Sequence, residues 1–505
     1  MLNRALIWIA WIGILSTTIH LRINDLGDRP IHADEATGAR ILAERLEAER
    51  YAFDPTHFHG PIQSIVSEPI ARIRKEFTWQ DLSIETLRIG PVIAGVLLAL
   101  TPLLWTRNFG IWPTTLAAAF IGTSPLLVYY SRMFIHESWL ALFGMIAAPA
   151  VFALIKYPSK RVAAIAAGFI GLMFATKETF AISVLSWSLA GLLTILIIYP
   201  RDQYSRIDQL ISYWKPVSIG IFTTLSVGAV FYTNYFQNPG GLIDAFVTFF
   251  VYETTPGHDK PFLYYFEFLL WPKLEIGLVW SEGLLGLIAV FGCIHSIKHR
   301  NAEPAAFFLS ISLGVHWIIY CLISYKTPWL MLLPWAHAAI LAGYAIKPLI
   351  SRSKRSIAIT LLISLFCITY QIQQSIAATG RLANDPRNPY AYVPTSKDPE
   401  RIELWIEKLM PLDPEKLNPT AVVGNGYWPL PWYLRKIKTI GYWPQTTEGM
   451  RGFPLVFATP SLVSEVDSLL SETHAKLPRA LRSNVPVIMY LRNDLWDEWI
   501  RSSEP

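Results

Sequence analysis

The chain is dominated by long apolar stretches, almost free of charge and each close to the ~20 residues a helix needs to cross a bilayer. Eleven stand out, at residues 6–21, 89–105, 113–129, 138–155, 162–175, 180–199, 217–232, 276–294, 305–323, 328–346 and 357–372. In lipid every main-chain N–H and C=O must be paired inside the protein, and the alternating pattern of barrel strands is absent, so helices are predicted. Composition agrees. Mean hydropathy is +0.34, and 16% of the 505 residues are charged, against about 25% in soluble domains. The three cysteines, Cys293, Cys321 and Cys367, fall in apolar stretches with no Cys-x-x-Cys, so neither a disulfide framework nor a zinc knuckle is indicated.

Basic residues orient such a chain. Arg4, Arg107, Lys156, Lys160, Arg161, Arg201, Arg206, Lys215, Lys298, Arg300, Lys347, Arg352, Lys354 and Arg355 share one side if the stretches alternate. That side is read as cytoplasmic. The N-terminus is then inside, and everything after residue 372 is outside a plasma or inner membrane. The net charge of +5 is accounted for by topology, and no nucleic-acid partner is predicted. The first stretch is short and follows Arg4, as in a signal peptide, but no clear small-x-small site follows it; an uncleaved anchor is the preferred reading.

Three external regions carry the polar residues. Loop 22–88 is too long for a mere connection. It holds two amphipathic stretches, 36–50 and 62–75, with apolar residues at helical spacing, suited to the membrane interface. Loop 233–275 is rich in aromatics. The tail, 373–505, gains prolines and charges, with β-rich runs at 420–423, 439–442, 454–457 and 485–490 and a helical stretch at 461–470. The predicted organisation is a membrane domain, 1–372, and a small α/β domain, 373–505.

Candidate chemistry gathers on the external side. His32-Ala33-Asp34-Glu35 follows the first apolar stretch. Asp34 reads as a helix N-cap, as a general base, or as both; Glu35 and His32 read as structural, or as groups that tune it or orient the acceptor. His57 and His59 form a His-x-His pair, a metal-binding spacing or a polar turn. Tyr129-Tyr130-Ser131-Arg132 with Glu137 reads as an interfacial belt or as an anion site. Lys177 and Glu178 sit in a tight turn, where charge against an apolar bundle must be paired or used. His258, Tyr264 and Tyr265 lie in the second long loop, and Lys326 in another charged turn. There is no phosphate-binding Gly-rich loop and no Asp-x-Asp pair, so a donor sugar would come on a lipid phosphate rather than a nucleotide.

The ordered set on one side resembles the GT-C membrane glycosyltransferases, nearest the protein O-mannosyltransferase and lipid A aminoarabinose-transferase group. The residues carrying it are Asp34-Glu35, Tyr129-Tyr130-Ser131-Arg132 with Glu137, Lys177, and His258 with Pro261 and Tyr264-Tyr265. Ser324-Tyr325-Lys326-Thr327-Pro328-Trp329, Asn388-Pro389-Tyr390-Ala391-Tyr392-Val393-Pro394 and Tyr427-Trp428-Pro429-Leu430-Pro431-Trp432-Tyr433-Leu434 are similar to the subgroup labelled flippase-activity-associated in N-glycosylation. The resemblance implies an α-helical polytopic membrane protein of GT-C type with about eleven transmembrane helices, an outward cavity and a polyprenyl-phosphate sugar donor. It matches Asp34 to the catalytic aspartate, and Arg132, Lys177 and His258 to donor-phosphate contacts. The mannosyltransferases' β-trefoil insert is lacking, so the acceptor, a glycan, lipid or protein, stays open, with a protein not favoured. No metal or cofactor is predicted. The competing readings are a transporter or flippase for a lipid-linked sugar, and a non-catalytic partner in glycan assembly. Absence of an internal repeat weighs against transport.

Overall fold

The computed structural model describes residues 2–57, 59–199, 211–251, 257–350 and 353–503. Arg201, Arg206 and Arg352, used above for orientation, lie outside them.

Every predicted apolar stretch contains a helix. Among the described residues, eight helices are long and apolar enough to cross a membrane: Arg4–Ile23, Ile84–Phe109, Glu137–Lys156, Phe180–Ile198, Trp214–Tyr232, Pro304–Leu322, Pro328–Leu349 and Arg355–Thr379. The chain is thus a multi-pass membrane protein. The other three stretches are shorter. Stretch 162–175 is the helix Lys160–Phe174. Stretch 113–129 breaks into Ile111–Thr123 and Pro125–Tyr130, because Pro125 lacks the N–H that would continue the ladder. Stretch 276–294 is helical only from Gly283. Its first residues belong to a hairpin of β1 (Lys273–Glu275) and β2 (Leu278–Trp280). Ile276 and Gly277, at φ 53° and 72°, form its two-residue turn, the left-handed pair that matches strand twist.

The helix Leu332–Tyr344 is buried on all sides. A Cβ on Gly343 would come 2.4 Å from the carbonyl oxygen of Pro113. Only glycine allows that approach between the two helices.

The long first loop folds as predicted into two helices, Ala33–Glu47 and Ile62–Ile73. The tail forms a mixed five-stranded sheet, ordered β4-β3-β5-β7-β6: β3 is Thr420–Val423, β4 Ile440–Trp443, β5 Leu455–Ala458, β6 His474–Arg482 and β7 Val485–Arg492. β3 runs parallel to β4 and β5; β7 is antiparallel to β5 and β6. Both faces are covered. Val422, Leu455, Phe457 and Met489 enter one core, and Ala421, Val423, Val456 and Tyr490 the other, as the two-residue period of a strand requires. The sequence reading missed β6, whose Pro478 argues against a strand. It lies at the sheet edge, where a missing N–H is tolerated.

The tail does not stand apart from the first loop. Trp432 and Tyr433 pack with Ile31, Ala36, Ala39, Leu42 and Trp79. The Trp79 and Trp432 rings meet edge to face at 5.6 Å. The sheet is thereby seated over the helix that carries Asp34.

Candidate active site

The His32–Glu35 turn is a capping box. His32 is the N-cap, its backbone extended at ψ 157°. Its Nδ1 accepts from the Asp34 N–H at 3.1 Å, and Glu35 Oε2 accepts from the His32 N–H at 3.0 Å. The cap expected at Asp34 therefore falls to His32, two residues earlier. An imidazole nitrogen serves where a carboxylate was predicted. Asp34 is left at the second helical position with its carboxylate 54% exposed and 3.9 Å from His32 Nδ1.

Glu35 points the other way and is fully buried. Arg88 Nε and Nη2 each donate to it at 2.8 Å. The Phe134 N–H donates at 2.9 Å, and Arg29 Nη2 lies at 3.5 Å. Burial alone would push this carboxyl up; Arg88 and Arg29 outweigh it and hold it at about 2. Both oxygens are occupied, so Glu35 ties the first loop to the turn at residue 134.

Two other loops close around Asp34. Lys260 N–H donates to Ser324 O and Lys326 N–H to His258 O, both at 3.0 Å, so the segments pair like a short ladder. That presents His258, whose Nδ1 is 2.6 Å from the Tyr392 hydroxyl. Tyr392 O in turn meets His32 Nε2 at 3.2 Å. Trp329 packs edge-on against both His32 and Tyr392. Burial lowers the His258 imidazole, with Asp34 opposing; burial and then Asp34 push Tyr392 up to about 12. The other residues of these loops serve the scaffold. Lys326 Nζ donates to the carbonyls of Lys260 and Ile323. Tyr265 donates to Thr327 O at 3.0 Å, and Tyr264 stacks on Phe268.

A second polar group gathers at the Lys177 turn. Lys177 pairs with Glu137, and His59 Nδ1 meets Glu178 at 2.9 Å. His136 packs against His59 with ring centroids 5.0 Å apart, and burial holds it well below its ordinary value. His57 closes the turn Pro55–His57; its side chain lies outside the described residues. The two groups are joined through Phe134, whose carbonyl accepts from Gln63 at 2.8 Å. Arg132 belongs to neither. Its Nη1 and Nη2 donate to Leu21 O and Asp25 O at 3.0 Å, and it lines a cavity of about 470 Å³ with His20, Asn24 and Arg381.

Several structural anchors escaped the sequence reading. Arg29 and Arg88 sit in a loop with many charges, and nothing in their spacing marks them. Glu282 is the plainest miss, because it lies inside stretch 276–294, one of the almost charge-free stretches. It is fully buried and accepts from Ser124 Oγ at 2.6 Å, Trp335 Nε1 at 2.7 Å and Leu126 N–H at 3.0 Å. A lone acid between a strand and an apolar helix was the available signal. Arg482 escaped because it lies on the strand that was itself missed.

The fold has counterparts among solved structures. No protein-family model matches the chain, and no curated protein matches it. Among solved structures it is similar to ArnT from Cupriavidus metallidurans bound to undecaprenyl phosphate, with a TM-score of 0.66 at 13% identity, covering 95% of this chain and 98% of that one. It is similar to the archaeal oligosaccharyltransferase AglB from Archaeoglobus fulgidus, with a TM-score of 0.59 at 13% identity over 91% and 70% of the two chains. The arabinofuranosyltransferase AftD from Mycobacteria matches at 0.54 and 13% identity, over 97% of this chain and 40% of that one. The chain therefore shares the fold of ArnT and AglB.

Proposed function

We propose that the chain is an inverting glycosyltransferase that takes a sugar from a polyprenyl-phosphate donor and passes it to an acceptor hydroxyl at the outer membrane face. Asp34 is the general base. The fold supports the class, since ArnT, whose structure holds undecaprenyl phosphate, shares it along almost the whole chain. The observation that carries the reading is the Asp34 carboxylate. It is exposed and fixed on a capped helix, with His32 beside it in the same turn and His258 and Tyr392 facing it from two other segments. A carboxylate held this way accepts the proton of an attacking hydroxyl as the bond to the anomeric carbon forms.

In this reading the eleven apolar stretches all traverse the membrane, with the N-terminus cytoplasmic and residues 373–505 an extracytoplasmic domain beyond a membrane domain of 1–372. The short helices in loop 22–88 lie at the interface. His258 and Tyr392 serve the donor near its reacting end. Glu35 acts by holding the turn. The Lys177 and His59 groups border the same face, and Arg132 lines the cavity beside it.

The test is Asp34→Asn in purified protein reconstituted with a polyprenyl-phosphate sugar and a membrane extract as acceptor source. Consumption of the donor should fall at least about a hundredfold. Unchanged consumption removes Asp34 from the base role. Movement of the lipid across the bilayer without loss of sugar would favour a flippase.

A further inference from the structure

We infer that Arg482, carried by the C-terminal sheet, is the cation that holds the donor's phosphate beside Asp34. This rests on the glycosyl-transfer reading.

The placement follows from one residue, Thr395. Its hydroxyl donates to Ile31 O at 2.7 Å, three residues before Asp34. Its backbone forms an isolated antiparallel bridge with Arg482. Tyr392, which touches both His32 and His258, lies three residues before it, at most about 11 Å of extended chain. Arg482 and Asp34 are thus anchored to the same short segment from opposite sides. The bulge in β6 between Ala480 and Arg482 is what turns a sheet residue out of register at this point.

The side chain is poised rather than saturated. Arg482 Nη2 donates to Gly426 O at 2.8 Å, which fixes the plane of the guanidinium. Its Nε is buried with no hydrogen-bond partner, and such an orphaned donor costs free energy unless an acceptor arrives. Burial disfavours the Arg482 cation, and Asp34 is the charge that opposes this.

The chemistry requires a cation here. The acceptor oxygen bonds to the anomeric carbon and the bond from that carbon to the phosphate oxygen breaks. The electron pair stays on the phosphate, and the acceptor proton goes to Asp34. Negative charge grows on the phosphate next to a carboxylate. The cations named from sequence are committed elsewhere: Arg132 to Leu21 and Asp25 carbonyls, Lys177 to Glu137, Lys326 to two carbonyls. A guanidinium supplies the planar donor fork that suits a phosphate.

The experiment titrates full-length protein in nanodiscs with a polyprenyl phosphate, and in parallel with the uncharged polyprenol. Arg482→Gln should weaken phosphate binding at least about tenfold while leaving polyprenol binding unchanged, and Arg482→Lys should recover part of the loss. Asp34→Asn, which removes a like charge, should bind the phosphate as well as wild type or better. Equal affinity of wild type and Arg482→Gln for the phosphate overturns the inference, and so does an equal loss for phosphate and polyprenol. If phosphate binding depends on Arg482 but the wild type consumes no polyprenyl-phosphate sugar, the transfer reading fails and the anion site stands.

Discussion

Glu35 and Arg88 form a two-pronged ion pair, with both bonds at 2.8 Å and both side chains out of solvent. The pair joins the helix after the first span to the start of the second. It leaves the neighbouring Asp34 carboxylate free of structural duty. Adjacent carboxylates thus serve opposite ends, because successive residues of a helix point about 100° apart.

Breaking that pair should be costly. Glu35→Gln or Arg88→Gln strands a buried charge, and about 3–5 kcal/mol of stability should be lost. The pH dependence has a definite sign. The Glu35 carboxyl is held at about 2, below its ordinary 4.5. Its contribution is therefore complete above about pH 4.5 and fades as pH falls toward 2. Thermal unfolding in detergent from pH 7 to 3 should show wild type losing stability faster than Glu35→Gln.

Asp34→Asn should behave oppositely. The side chain is more than half exposed and makes no buried ion pair, so the unfolding midpoint should hold within about 0.5 kcal/mol. Donor consumption should collapse. A mutant that loses stability along with turnover would argue against a purely chemical role.

His32 offers a separable test. Asn is as good an N-cap as any residue, while Ala loses the cap and about 1 kcal/mol. His32→Asn should keep stability yet lose the contact to Tyr392 O. Unfolding curves and donor consumption, measured on both variants, distinguish the cap from the site.

The Lys177–Glu137 pair is nearly excluded from solvent at 9% and 3% side-chain exposure. If its role is structural, Lys177→Met alone should cost about 3–5 kcal/mol, and Lys177→Met with Glu137→Leu should recover most of it. If Lys177 serves the donor, the double variant regains stability without regaining turnover. A double-mutant cycle on both readouts decides between them.

Glu282 should be the least replaceable acid in the bundle. Glu282→Leu orphans the Ser124 hydroxyl, the Leu126 N–H and the Trp335 indole. Each unsatisfied buried donor costs about 1–3 kcal/mol, so the variant should fail to yield monodisperse protein. Glu282→Gln, which keeps one acceptor, should be purifiable and less stable.

Sequence alone determined the membrane class, the positions of most of the helices and the amphipathic pair in the first loop, and it singled out the Asp34 turn as a candidate. Those features are written in local hydropathy and charge, which a lipid solvent reads segment by segment. It did not determine which neighbour caps that turn, since an imidazole and a carboxylate can both accept from an N-terminal N–H. Nor did it show β6, because whether Pro478 is tolerated depends on that strand lying at an edge. Only the tertiary structure decided the partners. Glu35 went to Arg88, Lys177 to Glu137 and Arg132 to the end of the first helix. Arg482 came toward Asp34 from 448 residues away. Side-chain pairing across such separations is set by how the sheet packs on the first loop, and no local pattern encodes it.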